Sequence, residues 1–197
     1  MKKKEDIERI YQAALSAFSL HGYRKTTLEE VAGRLDMAPS NLYLYVKNKR
    51  ELYHKTVIFA LLRWQDRVLK DMEEQQSPEG KFLTMCRSAV FYLEKDEALR
   101  RLLILDPDIF PMFAEKDPYE YVNRASVALL TDMIKEGMAA GRFRKVDPET
   151  TAEAIFSVYK MLIIRSYIKM EKKAGLLLFE QILDLITSGL FISKKAD

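Results

Sequence analysis

Apolar positions in this chain recur at spacings of three and four residues, and no segment alternates apolar with polar in the sustained way of a strand. Residues 4–21 carry Ile7, Ile10, Tyr11, Ala14 and Phe18 on one helical stripe, and Gly22 is suited to stop that helix. Lys2, Lys3 and Lys4 precede the stripe, either as a basic arm or as a solubilising terminus. Thr27 with Glu30 then fits a capping box for a helix from Leu28, with Val31 and Leu35 as its inner face. Asp36 tolerates the left-handed backbone a tight turn requires, and Pro39 suits the first position of the next helix. There Leu42 and Val46 face inward, which leaves Ser40, Asn41, Tyr43 and Tyr45 for other faces. Asn48 and Glu51 supply one more cap, so a longer helix begins at Lys49 and runs through Leu52 and Val57.

Beyond it, Ser77-Pro78, Asp106-Pro107, Asp117-Pro118 and Asp147-Pro148 repeat one logic, a capping side chain followed by proline at the first helical position. They predict helices near 78–94, 96–105, 107–113, 118–140 (ended by Gly141) and 148–170, with a last one over about 173–192. The prediction is an all-α protein, a small N-terminal helix-turn-helix unit followed by a larger helical body. The last two long helices are apolar on more than one face, so each is either central in its domain or covered by a partner. Helix, short turn, helix, with small polar residues opening the second, is the build of a major-groove reader.

The stretch HGYRKTTLEEVAGRLDMAPSNLYLYVKNKREL resembles the DNA-binding domain of the TetR (tetracycline-repressor) family of bacterial regulators. Gly22-Tyr23, Thr26-Thr27, Val31-Ala32, Leu42-Tyr43-x-Tyr45-Val46 and Lys49-x-x-Leu52 carry the resemblance. Three positions depart from the family's usual form: Asp36 in place of a turn glycine, Ala38 in place of a capping Ser or Thr, and Leu44 in place of a second Tyr. The resemblance implies a DNA-binding domain over 1–54 and an effector-binding and dimerisation domain over 55–197. It also implies a homodimer on a palindromic operator in double-stranded DNA, most often a repressor, released by a small effector. Phosphate contacts fall by resemblance to Tyr45, Lys49 and Thr27 (or Thr26), while Pro39, Ser40, Asn41 and Tyr43 open the reading helix. Asn41 and Ser40 can hydrogen-bond base edges, and Tyr43 offers both a ring and a hydroxyl. Dimer pairing is implied for the last two helices, through Ile155, Tyr159, Leu162, Ile163, Phe179, Ile182, Leu183 and Ile186.

Charge adds a little to this picture. Residues 1–55 carry 11 Lys+Arg against 7 Asp+Glu, whereas the remainder is close to neutral, so the basic excess sits with the candidate reader. The single Cys86, flanked by apolar positions, fits a buried thiol in a reducing cytosol and cannot close an internal disulfide. No signal peptide is expected, because no apolar run follows the basic N-terminal residues, and no transmembrane span, because charged residues interrupt both C-terminal apolar stretches. Catalytic and cofactor signals are not expected either. His21 and His54 (the latter on a surface-like helix) have no ligand-spaced partner, and no zinc spacing, phosphate loop or nucleophile elbow is present. Phe82, Met85, Tyr92, Phe110, Phe113, Tyr121, Met133 and Tyr159 supply aromatic and thioether side chains for an adaptable apolar pocket, or else ordinary core. The rival reading is a helical ligand-binding or interaction module whose N-terminal helices only pack; an enzyme would need a reactive Cys86.

Overall fold

A computed structural model describes residues 2–109, 117–165 and 172–192. In chain order it has α1 (Lys2–Lys25), α2 (Leu28–Gly33), α3 (Pro39–Leu42), α4 (Lys49–Glu73), α5 (Pro78–Lys95), α6 (Glu97–Leu105), a 3-10 turn (Pro107–Ile109), α7 (Glu120–Ala139), α8 (Pro148–Ile163) and α9 (Lys172–Leu190). The described residues contain no strand, only an isolated bridge between Phe143 and Phe191, so the all-α expectation holds.

Local chemistry sets the boundaries. Thr27 accepts from the Glu30 amide at 3.1 Å, Asn48 from Glu51 at 2.9 Å, Ser77 from Gly80 at 3.1 Å and Asp147 from Thr150 at 2.8 Å. Gly22 interrupts α1 at φ 73°, ψ 169°, a conformation closed to side-chain-bearing residues, and Asp36 sits at φ 53° in the α2–α3 turn. Lys2, Lys3 and Lys4 begin α1 as helix, so no extended arm precedes it among the described residues.

Two of the proline breaks behave differently from expectation. The Asp117 carboxylate holds the Tyr119 amide at 2.8 Å and the Asn123 side chain at 2.6 Å, which makes 117–119 a turn and starts α7 at Glu120 rather than 118. Asp106 closes α6, its amide donating to the Leu102 carbonyl at 2.9 Å, and only a 3-10 turn follows; residues 110–113 of the expected helix lie outside the described residues. α8 runs over Pro148–Ile163 and a π turn carries it on through Ile164 and Arg165, while 166–170 of the expected helix lie outside the described residues.

The hydrophobic core is continuous from reader to body. α1 packs on α4 and α6, α4 on α5, and α7 on α8, so the division after residue 54 falls inside an unbroken α4. Arg63 fastens this junction: its guanidinium pairs with Asp96, which also caps α6, and donates to Gln12 of α1 at 2.7 Å. At the far end of the body, Phe82, Phe143 and Phe191 form one aromatic cluster, Phe143 and Phe191 stacked with centroids 4.9 Å apart. Two backbone hydrogen bonds lock it, from Arg144 to Leu190 at 2.8 Å and from Ile192 to Arg142 at 2.9 Å.

Candidate nucleic-acid interface and cavity

The reader begins with a buried floor. Leu28, Val31, Ala32, Leu42 and Val46 join Phe18 and Leu52 in the core, which fixes α2 and α3 against α1 and α4. α3 is a single α-turn with no side-chain cap at Ala38, and 3-10-type bonds extend it, from Tyr43 to Ser40 at 3.3 Å and from Tyr45 to Leu42 at 3.0 Å. With Leu42 and Val46 inward, Pro39, Ser40, Asn41, Tyr43 and Leu44 are left exposed on one side, and Tyr45 is half-buried. Thr27 is exposed beside them. At the start of α4 the Asn48 cap satisfies Glu51, which leaves the Lys49 and Arg50 amides without intrahelical acceptors, a favourable place for an anion.

Thr26 and Lys49 have structural partners. Thr26 is fully buried, and its hydroxyl bonds the Gly22 carbonyl at 2.9 Å and the Ala17 carbonyl at 3.3 Å, pinning the α1–α2 corner. It therefore cannot present its hydroxyl to a phosphate. The Lys49 ammonium donates to the Thr26 carbonyl at 3.1 Å and the Arg24 carbonyl at 3.3 Å, and lies 4.7 Å over the Tyr23 ring. Two of its three hydrogens are thus committed, and one is left for an outside partner.

From the reader, α4 leads directly to the body's cavity. On its first turns the Tyr53 hydroxyl donates to Asp106, and burial together with that carboxylate pushes its pKa up. His54 is half-buried, not on an open surface as the sequence suggested, with Nδ1 3.2 Å from the Tyr119 hydroxyl. Farther along, α4, α5, α7 and α8 enclose a cavity of about 310 Å³, lined by Leu61, Trp64, Gln65, Val68, Cys86, Asn123, Ser126, Tyr159 and apolar neighbours. Among the described residues, no Lys, Arg, His, Asp or Glu lines it. Burial pushes the Cys86 thiol up to about 12, so it meets the cavity as a neutral, weakly polar group. Leu69 and Ala125, both exposed, also line the cavity, so it reaches the surface at the seam between α4 and α7.

Comparison with known proteins settles the kinship. Residues 10–56 match the family model of bacterial regulatory proteins of the tetR family, and residues 96–177 match that of the tetracyclin repressor-like C-terminal domain. The chain belongs to the TetR family. It is a transcriptional regulator with a helix-turn-helix DNA-binding domain. It is 24% identical over 154 residues to the uncharacterized HTH-type transcriptional regulator YhgD of Bacillus subtilis, covering 78% of this chain and 80% of that protein. In fold it resembles a TetR transcription regulator from Haloarcula marismortui, with a TM-score of 0.81 at 18% identity, covering 96% of this chain and all of the other (100%). It also resembles FadR from Bacillus subtilis, solved in complex with stearoyl-CoA, with a TM-score of 0.75 at 18% identity over 92% of this chain and 97% of that one.

The TetR-family body departs from the sequence reading in two places. Of the side chains expected around a pocket, Met85 and Tyr159 line the cavity. Phe82 belongs to the far aromatic cluster, Met133 is buried core away from the cavity, the Tyr92 hydroxyl donates to Asp71 at 2.9 Å, and Tyr121 is exposed. Phe110 and Phe113 lie outside the described residues. Of those expected at a dimer face, Ile155, Leu162, Ile163, Phe179 and Leu183 are buried within the single chain, Ile182 and Ile186 are half-buried, and Tyr159 faces the cavity. The outward apolar positions on α9 are instead Leu176, Leu177 and Leu185. The sequence reading missed Gln65 and Asn123. Gln65 was visible as a lone amide inside the apolar run of α4, beside the only tryptophan. No helix among the described residues is long and apolar enough to cross a membrane.

Proposed function

We propose that the protein is a repressor that binds a palindromic operator as a homodimer and is released by a small, largely apolar effector. One observation carries the reading: a single helix, α4, contributes its first turn to the reader and its later turns to the wall of an apolar cavity. Occupancy of the cavity that shifts α4 against α7 must alter the hold on His54 by Tyr119 and so the placement of the reader. The ligand then changes DNA affinity by as much as its preference for one α4 position over the other. Asn41, Ser40 and Tyr43 meet base edges in this reading, while Thr27, Tyr45, the last Lys49 hydrogen and the free α4 amides meet phosphates. The acyl chain of the stearoyl-CoA held by a protein of the same fold supports a ligand with a long apolar part.

Pairing is assigned to the outward faces of α8 and α9. Leu177 and Leu185, eight positions apart on α9, are 65% and 71% exposed and lie on one side of the helix. Two copies joined there would present two readers to two half-sites. Selection of bound duplexes from a random pool tests the reading. Enrichment of one inverted repeat, lost when an apolar ligand is added, is expected. A pool with no enrichment at low salt would overturn it. Leu185→Glu should convert the dimer to monomer in sedimentation and reduce operator affinity with it.

A further inference from the structure

The polarity of the cavity is concentrated on one side. Apart from the Cys86 thiol on α5 and the Tyr159 hydroxyl on α8, its α5 and α8 walls are apolar, whereas Gln65 on α4 faces Asn123 and Ser126 on α7. The Gln65 amide nitrogen donates to the Val122 carbonyl at 3.0 Å and to the Ser126 hydroxyl at 2.8 Å. A carbonyl can only accept, so Val122 fixes which end of the Gln65 amide faces α7. Both Nε2 hydrogens are then used, and what Gln65 retains is the Oε1 acceptor. Ser126 receives a hydrogen bond from Gln65, which leaves its own O–H to donate. The seam therefore presents an acceptor and a donor side by side at the lip of a largely apolar space.

We infer that Gln65 and Ser126 select the ligand: an uncharged, largely apolar molecule with one hydroxyl- or amide-type group that donates to Gln65 Oε1 and accepts from the Ser126 hydroxyl. The inference rests on the reading of this cavity as the effector site. A carboxylate or ammonium group would find no counter-charge among the described lining residues, and burying it there is costly. A wholly apolar molecule would cover the Gln65 acceptor and the Ser126 donor at the seam and displace their water without replacing its hydrogen bonds. The ligand best matched to the wall thus has a hydrocarbon body for Trp64, Val68 and Ile155 and a single two-way polar group at the seam.

The experiment uses the purified full chain and the uncharged fluorophore N-phenyl-1-naphthylamine as a bound reporter. It is displaced by 1-decanol or by its isomer methyl nonyl ether, which accepts a hydrogen bond but cannot donate one. Transfer from water favours the ether, so an alcohol preference reports the hydrogen bond to the protein. In the wild type the alcohol should displace the reporter at about three- to tenfold lower free concentration. Gln65→Met should abolish that preference. Ser126→Ala should weaken both isomers and keep the preference, because both carry the acceptor oxygen. Reporter binding with equal or better displacement by the ether in the wild type overturns the inference and leaves the cavity as an apolar ligand site. Failure of the reporter to bind overturns the effector-site reading as well.

Discussion

The reader and the body are built from the same kind of helix, yet their interiors differ. Around the reader, Phe18, Val31, Leu42 and Leu52 are each 0% exposed, and the buried polar group Thr26 has its hydroxyl bonded to two carbonyls. In the body, a space of about 310 Å³ persists between α4, α5, α7 and α8. A closed core resists displacement because every shift costs contacts, which suits a surface that must hold side chains in register with DNA. An incompletely filled core can accept a guest and shift when it does. The contrast is sharpest along α4, where one helix belongs to both regimes.

The largest test of that contrast is truncation. Leu42→Ala should destabilise the protein by about 2–5 kcal/mol, whereas Leu129→Ala, at the half-open cavity wall, should cost about 1 kcal/mol, both read by denaturant unfolding. Equal losses would erase the distinction. Enlargement gives the complementary test. Ala17→Leu, in the closed core, should cost about 1–3 kcal/mol, while Ala89→Leu should cost less than about 1 kcal/mol and displace any apolar ligand. A third, smaller effect separates the two adjacent threonines. Thr26→Val should lower stability by about 1 kcal/mol and leave the DNA affinity of the folded fraction unchanged. Loss of affinity in the folded fraction would place Thr26 back at the phosphates.

The smallest effect concerns pH. The buried Cys86 thiol, pushed up to about 12, has roughly one thiolate in ten thousand at pH 8, so a maleimide should react with it only after denaturant is added. Because the folded value lies above that of an exposed thiol, the stability it contributes is full below about pH 8.5 and is lost as pH climbs towards 12. Rapid labelling of the folded chain at pH 8 would show that the cavity lining opens more readily than this geometry allows.

The helix boundaries in the reader were legible because their signals are local: a capping side chain, a proline and a periodic stripe within a few residues. Which of Thr26 and Thr27 turns inward was not, since the answer depends on the Ala17 carbonyl, supplied by another helix. The body shows the same limit on a larger scale. α8 and α9 are apolar on more than one face, and periodicity does not say which stripe meets the rest of the body and which is left outside. Aromatic side chains looked like pocket walls, yet Phe82 fills space beside Phe143. A cavity is defined by where atoms are missing, and no residue type encodes that. The Asp117-Pro118 break misled by two residues because the Asp117 carboxylate holds the Tyr119 amide with one oxygen and the Asn123 side chain with the other, closing a turn before the helix begins.

The aromatic cluster of Phe82, Phe143 and Phe191 also orders events in time. Its two backbone bonds join residues 142–144 to 190–192, so this end of the body cannot close until residue 191 has left the ribosome. The reader's floor needs only the segments from α1 through α4, which emerge early and pack over short loops. During synthesis, then, the segments that form the reader's floor are all available before the body can make its last fastening.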